Sequence, residues 1–192
     1  MRHLSREGVA ARHPALVTVR VVRGLPSLRR RGVVLAFEQA LAALRRRQGF
    51  RVVQYSLHSN HAHFVVEADD ARALGRGMQA LGVRLARLVN RTPGRSGRVL
   101  SDRYHLRVLR TPREVRNALA YVLLNLRKHA AERGGAAPVA VDPASSGRWF
   151  SHWTRAGVPA RDPPVVSPAS SWLLRTGWLR WGRIDLAETP GG

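Results

Sequence analysis

Valine-rich alternation between Leu16 and Val22 predicts a first β-strand, because successive side chains of a strand point to opposite faces. From about Gly32 the apolar residues recur instead at helical spacing, which predicts a helix. Three arginines at positions 45–47 would form its last turn, and Gly49 would end it. The chain therefore opens with a β-α unit.

Two short apolar segments, Arg51–Leu57 and His61–Glu67, flank a polar turn and predict an antiparallel hairpin. Asp70 follows at the position of a helix N-cap. The apolar face of the helix that it would begin consists of Leu74, Met78, Leu81, Leu85 and Leu88. A loop of Pro, Gly, Arg and Ser then leads to another strand, predicted over at least Tyr104–Leu109.

The last predicted helix has the clearest start signal in the chain. Thr111, Pro112 and Glu114 have the spacing of a capping box, with proline where no amide hydrogen is needed. Gly134 and Gly135 would end this helix. The order β-α-β-β-α-β-α predicts an α+β protein with a ferredoxin-like antiparallel sheet, β-α-β-β-α-β, and one added helix.

The composition changes after about Gly135, so we predict a main domain over residues 1–135 and an extension over residues 136–192. The extension is rich in Ala, Pro, Ser and Gly and holds all five tryptophans, at 149, 153, 172, 178 and 181. Two interpretations stay open. The indoles either stack on the bases of a single strand, helped by nearby arginines, or hold the extension against the core.

Positive charge dominates the composition. The chain has 33 Lys and Arg against 12 Asp and Glu, a net charge of +21 that is spread along most of its length. Such a surface binds phosphates through counterion release, which favours nucleic acid over a membrane or a small molecule as partner. Charge alone is also compatible with a ribosome-associated protein.

Cysteine is absent. Its absence excludes disulfide scaffolds, Cys-ligated zinc and thiol nucleophiles, so any metal would be held by His, carboxylate or amide groups. The first residues lack the hydrophobic region of a signal peptide, and no apolar segment is long enough to span a bilayer. We therefore expect a cytoplasmic protein.

Two histidines in the second hairpin strand suggest a metal site. Residues two apart on a strand point the same way, so His61 and His63 would share one face while Ala62 and Phe64 occupy the other. Paired imidazoles on a rigid strand can bind a divalent ion, with further ligands from elsewhere in the fold. Taken alone the pair is a weak motif, and a polar sheet face without a metal remains an alternative.

The last predicted helix carries polar residues opposite its buried face. A helical wheel places Asn117, Tyr121, Asn125 and Lys128 on one stripe. Tyr121 and Asn125 lie one turn apart, so a phenol and an amide would reach the same place. If the stripe faces the two histidines, the fold contains an active site.

The sequence resembles three signature segments of the single-tyrosine HUH transposases, above all the REP-associated tyrosine transposases. The segments are SNHAHFVVEA, SDRYHLRVL and AYVLLNLRKHA, in the same order, and the resemblance covers about residues 15–135. Two positions depart from the family pattern. Leu126 stands where many relatives carry proline, and Ala62 is a small middle residue of the histidine triplet, but neither removes a functional group.

The resemblance implies that His61 and His63 bind Mg2+ or Mn2+, that Asn125 completes the site and that Tyr121 attacks a DNA phosphate. The product would be a 5′-phosphotyrosine link with a free 3′-hydroxyl, and its reversal would join strands without a nucleotide cofactor. The substrate would be single-stranded, hairpin-forming DNA, and residues 1–135 would be the catalytic domain. A monomer and a homodimer both remain possible, as does exchange of tyrosine helices between chains.

Four further polar residues are predicted contacts for DNA or for the nucleophile: Lys128, Asn117, Arg107 and His105. A cation near Tyr121 would assist a phenol, which is mostly protonated at neutral pH. For the two strand residues of this group, and for Tyr104, packing on the sheet is an equally good interpretation. His58, beside the hairpin turn, could contact DNA or steer a ligand, but the interpretation that we prefer is a solvated histidine.

Two other functions fit parts of the pattern. A non-catalytic nucleic-acid-binding protein with the same fold would keep the charge, although the intact set of His61, His63, Tyr121 and Asn125 argues against it. A replication initiator or relaxase would use the same site, but those enzymes usually have longer chains. The sequence therefore favours a transposase or a domesticated relative.

Overall fold

The predicted order of elements is confirmed by a computed structural model, which describes residues 9–91, 96–132, 134–135, 139–155 and 160–190. The elements are β1 Ala15–Arg20, α1 Arg31–Leu44, β2 Phe50–Leu57, β3 His61–Ala68, α2 Ala71–Val89, β4 His105–Val108, α3 Pro112–Glu132 and α4 Trp172–Arg175. Two short 3₁₀ turns, Ser146–Trp149 and Gly177–Trp181, also lie in the C-terminal part. None of the helices described is long and apolar enough to cross a membrane.

The four strands form one sheet in the order β2-β3-β1-β4, and every neighbouring pair is antiparallel. This is the strand order of a ferredoxin-like β-α-β-β-α-β unit, so the predicted fold class is confirmed. β3 and β1 are the central strands. The histidine-bearing strand therefore lies inside the sheet and is held on both sides.

Each face of the sheet has its own hydrophobic core. Helices α1 and α2 cover the first face, where Phe37, Leu41, Leu74 and Leu81 pack against apolar residues of β1 and β3. Helix α3 covers the second face together with C-terminal residues. The main members of this second core are Val53, Val65, Leu119, Val122, Leu123, Phe150, Trp153, Leu174, Trp178 and Ile184. The predicted active site would lie on this second face, between the sheet and α3.

The predicted start signals agree with the structure, but one helix end does not. Asp70 accepts a hydrogen bond from the Ala73 amide at 2.6 Å, and Thr111 and Glu114 form the reciprocal bonds of a capping box. Helix α1, however, ends at Leu44, so the arginines at 45–47 follow the helix instead of forming its last turn. The chain reverses direction between α1 and β2. Gly49, with a φ of 72°, adopts the left-handed conformation that this turn uses.

The C-terminal segment covers the outer edge of β2. The Leu57 amide donates to the carbonyl of Ala144 at 2.8 Å, and the Ser167 amide donates to the carbonyl of Val52 at 2.8 Å. Between them, the Tyr55 amide donates to the hydroxyl of Ser146 at 2.8 Å. An edge strand otherwise presents unpaired backbone groups, so these bonds complete the sheet on this side.

Candidate active site

His61 and His63 lie on the second face of the sheet, towards α3. Ala62, Phe64 and Val66 alternate with them and belong to the first core. The two imidazole rings are 4.8 Å apart between centroids and nearly perpendicular. Strand periodicity therefore gives the two side chains the common face that the sequence predicts.

A third histidine completes this cluster. His58 is only 5% exposed, so its interpretation as a solvated turn residue is wrong. Its ring stacks on that of His61 at 4.5 Å and lies 5.3 Å from that of His63. One ring nitrogen from each of the three histidines lies within 4.8 Å of the others. The imidazoles therefore converge on a volume of the size that a metal ion occupies.

A β-bulge in β2 explains why His58 reaches this face. The pairing register with β3 shifts between Val52 and Gln54, which leaves Val53 as an extra residue. Before the bulge Phe50 and Val52 face the first core, whereas after it Tyr55 and Leu57 do so. The shift reverses the alternation, and Gln54, Ser56 and His58 turn towards the second face.

Neighbouring side chains orient each imidazole. The Thr18 hydroxyl lies 2.9 Å from Nδ1 of His63, and the Asn60 amide oxygen lies 2.9 Å from Nδ1 of His61. The Ser56 hydroxyl lies 3.3 Å from Nε2 of His58. Hydrogen bonds of this kind fix ring orientation in metal sites and select which nitrogen can bind the ion.

Tyr121 reaches the cluster from α3. Its hydroxyl oxygen is 3.3 Å from Nε2 of His63, and the two rings are 4.9 Å apart between centroids. The ammonium of Lys128 lies 5.0 Å from the centre of the phenol ring. The half-buried phenol is thus placed between an imidazole and a cation.

Asn125 follows Tyr121 by one helical turn and is only 1% exposed. Both polar atoms of its amide are buried, and neither has a hydrogen-bond partner in the described part of the chain. A buried amide without partners costs free energy, so this side chain is suited to a ligand. The three imidazoles form a neutral donor set that fits a divalent cation.

The other predicted contacts lie at the border of this face. His105 on β4 and His63 on β3 both pair with Thr18, so they flank it on opposite sides. Arg107 forms an ion pair with Glu114 at 3.4 Å, at the start of α3. Asn117 is exposed one turn before Tyr121. His105 is not a member of the three-histidine cluster.

The chain has three tyrosines, and the other two lie on the first face of the sheet. Tyr55 is fully buried and donates a hydrogen bond to Glu38 at 2.6 Å. Burial and this bond raise the pKa of Tyr55, which keeps its phenol neutral. Tyr104 packs against the first core. Tyr121 is therefore the tyrosine that a substrate on the histidine face would meet.

Comparison with known proteins identifies the class of fold. No family model and no curated protein matches the sequence. The structure is similar to that of a REP-associated tyrosine transposase bound to a REP hairpin, with a TM-score of 0.54 and 14% identity over 74% of this chain and 96% of that one. It also resembles a candidate transposase of Deinococcus radiodurans R1, with a TM-score of 0.43 and 15% identity over 71% of this chain and all of that one. The first similarity shows that this chain shares the fold of that REP-associated tyrosine transposase.

Proposed function

We propose that this protein is a transposase-type enzyme that cuts and rejoins single-stranded DNA through Tyr121. The observation that carries the proposal is the 3.3 Å contact between the Tyr121 hydroxyl and His63, within a cluster of three histidines. A nucleophile beside side chains that can bind a metal ion is suited to phosphoryl transfer through a covalent intermediate. The net charge of +21 supplies affinity for the DNA backbone.

In the proposed reaction the Tyr121 oxygen attacks a DNA phosphorus. A bond forms between this oxygen and phosphorus, and the bond from phosphorus to the 3′ oxygen breaks. The phenol proton passes to a base or to solvent, and the leaving 3′ oxygen takes up a proton from solvent. The 5′ end stays on Tyr121 as a phosphodiester, so attack by another 3′-hydroxyl reverses the step and joins two strands without a nucleotide cofactor.

We assign His61, His63 and Asn125 as the residues that hold Mg2+ or Mn2+, with His58 as a further imidazole donor. When bound, the ion would polarise the phosphate and stabilise its developing negative charge. A set rich in nitrogen favours Mn2+, because Mg2+ prefers oxygen ligands. Thr18 and Asn60 keep the imidazoles in position through the bonds described above.

The surrounding polar residues are assigned to the DNA. Lys128 lies beside the phenol, where its charge can offset that of the attacked phosphate. Asn117, Arg107 and His105 border the same face and are assigned as contacts to the backbone on either side of that phosphate. The expected substrate is a hairpin-forming strand whose attacked phosphate is unpaired.

The test is covalent capture of DNA. Single-stranded oligonucleotides labelled at the 5′ or the 3′ end are incubated with the protein and Mn2+ or Mg2+, and adducts are separated on denaturing gels. We expect an adduct that keeps only the 3′ label, because Tyr121 retains the 5′ end of the downstream fragment. Tyr121→Phe should remove the adduct while DNA binding persists, and Tyr104→Phe should leave it unchanged. DNA binding with no adduct under any metal would favour the non-catalytic alternative.

A further inference from the structure

The five tryptophans separate into two groups. Trp153 and Trp178 are buried in the second core, and Trp149 is partly buried with its indole N–H bonded to the carbonyl of Asp162 at 3.1 Å. Trp172 and Trp181, in contrast, are each 53% exposed. The first group holds the C-terminal segment on the core, whereas the second needs another explanation.

Each exposed indole has an arginine next to it. The guanidinium carbon of Arg180 lies 5.2 Å from the ring centre of Trp172, and that of Arg113 lies 5.2 Å from the ring centre of Trp181. An aromatic face beside a cation matches a nucleotide, whose base stacks while its phosphate is neutralised. We call these four side chains the Trp-Arg platform.

The platform is held in place by the fold. A Cβ atom on Gly177 would lie 2.8 Å from the Trp172 ring, so one side of this ring rests against a glycine backbone. The amides of Ser170 and Ser171, just before Trp172, both donate to the Glu67 carboxylate at 2.7 Å. The indole is therefore positioned before any ligand arrives, which lowers the entropy cost of binding.

The platform is attached to the two elements that carry the candidate active site, because Arg113 lies on α3 and Glu67 lies on β3. Arg113, Asn117 and Tyr121 follow one another at one-turn intervals on α3, and eight residues of helix span about 12 Å. Glu67, which anchors Ser170 and Ser171, lies four residues after His63 on β3, or about 13 Å along the strand. A strand leaving the Tyr121 site along α3 would reach the platform within a few nucleotides.

We propose that the Trp-Arg platform binds the unpaired bases next to the phosphate attacked by Tyr121, an inference that rests on the proposed function. Stacking accepts any base, so the platform selects single strands over duplexes and not one sequence over another. It supplies a second contact that holds the strand in register while Tyr121 reacts.

The test measures binding alone, so that failure of catalysis cannot be mistaken for failure of the platform. Protein carrying Tyr121→Phe is titrated, without metal, into a labelled oligothymidine of roughly 16 nucleotides and into a duplex of equal length. Trp172→Ala and Trp181→Ala should each weaken single-strand binding by about 10-fold, with little change for the duplex. Replacement by Phe should restore much of the loss, because it keeps an aromatic face.

Two control substitutions separate stacking from general effects. Leu35→Ala removes a side chain that is also exposed, at 51%, but lies on α1. Arg76→Gln removes one exposed charge on α2. Its affinity for the oligothymidine is compared with that of Arg113→Gln, which removes one charge from the platform. Unchanged single-strand affinity in both tryptophan variants would overturn the proposal. A change of oligomeric mass in those variants, with affinity for the oligothymidine retained, would also overturn it and would assign the surface to a second copy of the chain.

Discussion

Thr18 and His63 face each other across β1 and β3, with the threonine hydroxyl 2.9 Å from Nδ1 of the imidazole. The other nitrogen of the same ring, Nε2, lies 3.3 Å from the hydroxyl of Tyr121. One imidazole thus links a sheet residue to the proposed nucleophile. The orientation of the His63 imidazole therefore affects the geometry of both the histidine cluster and the Tyr121 phenol.

Replacing Thr18 with Val keeps the shape of the side chain but removes the hydroxyl. We expect Mn2+ affinity to fall by about 10-fold, because the hydrogen bond that orients a metal-binding imidazole is lost. Isothermal titration with MnCl2 measures the effect. Thr18→Ser, which keeps the hydroxyl, should bind nearly as well as the natural protein, and equal affinities for the Val and Ser variants would show that Thr18 does not position His63.

Removing His58 should also weaken the proposed metal site. His58→Ala takes away a nitrogen donor, so we expect Mn2+ affinity to fall by about 10-fold or more, with a smaller change for Mg2+. Asn125→Ala removes an oxygen donor and should affect both ions. His105→Ala is the matched control, because His105 is an exposed histidine on the same face of the sheet. Full affinity in the His58 variant would exclude it from the site.

The role of His58 could not be predicted from local pattern. His61 and His63 follow strand periodicity, and Tyr121 and Asn125 follow helical periodicity, so their directions are readable from spacing. His58 depends on the bulge at Val53, which reverses the alternation of β2 and leaves no separate signal in an apolar sequence.

The structure of the C-terminal part also cannot be predicted from local sequence pattern. Its contacts join residues far apart in the chain, such as the Tyr55 amide and the Ser146 hydroxyl, which are 91 positions apart. Composition indicated a change near residue 135, and the division of the chain there stays a prediction. The pattern did not indicate which tryptophans are buried, because burial depends on what α3 and the sheet leave uncovered.

Arg148 should contribute to the stability of the fold. Its guanidinium bonds both oxygens of Glu38 at 2.9 Å, and Glu38 in turn accepts the hydrogen bond from Tyr55. Arg148→Ala leaves a buried carboxylate without its cation, so we expect the free energy of unfolding to fall by about 1–3 kcal/mol. Urea denaturation measures it. The exposed Arg161, changed to Ala, should have a small effect.

The capping box of α3 should make stability depend on pH. Burial alone would raise the pKa of Glu114, but hydrogen bonds from the Arg110 and Thr111 amides and from the Thr111 hydroxyl lower it below its ordinary value of 4.5. A depressed pKa stabilises the fold above that ordinary value, and the contribution is lost as pH falls through the folded-state pKa.

Glu114→Gln should therefore cost about 0.5 kcal/mol at neutral pH, a small figure because solvent screens the site. The cost should shrink on acidification. Thermal unfolding of both proteins at several pH values tests this. Asp102→Asn, at a side chain that is 84% exposed, serves as the comparison. A pH-independent difference would show that the charge of Glu114 does not contribute.

The covered edge of β2 has a consequence for folding kinetics. The bonds that attach the C-terminal segment join residues 113 positions apart in Arg29 and Asp142, and 103 apart in Glu67 and Ser170. Contacts of such long sequence separation form slowly. During synthesis the edge of β2 and the side of α3 that packs on the C-terminal segment would stay exposed until the last quarter of the chain has been made. Chaperones could bind these surfaces in that interval.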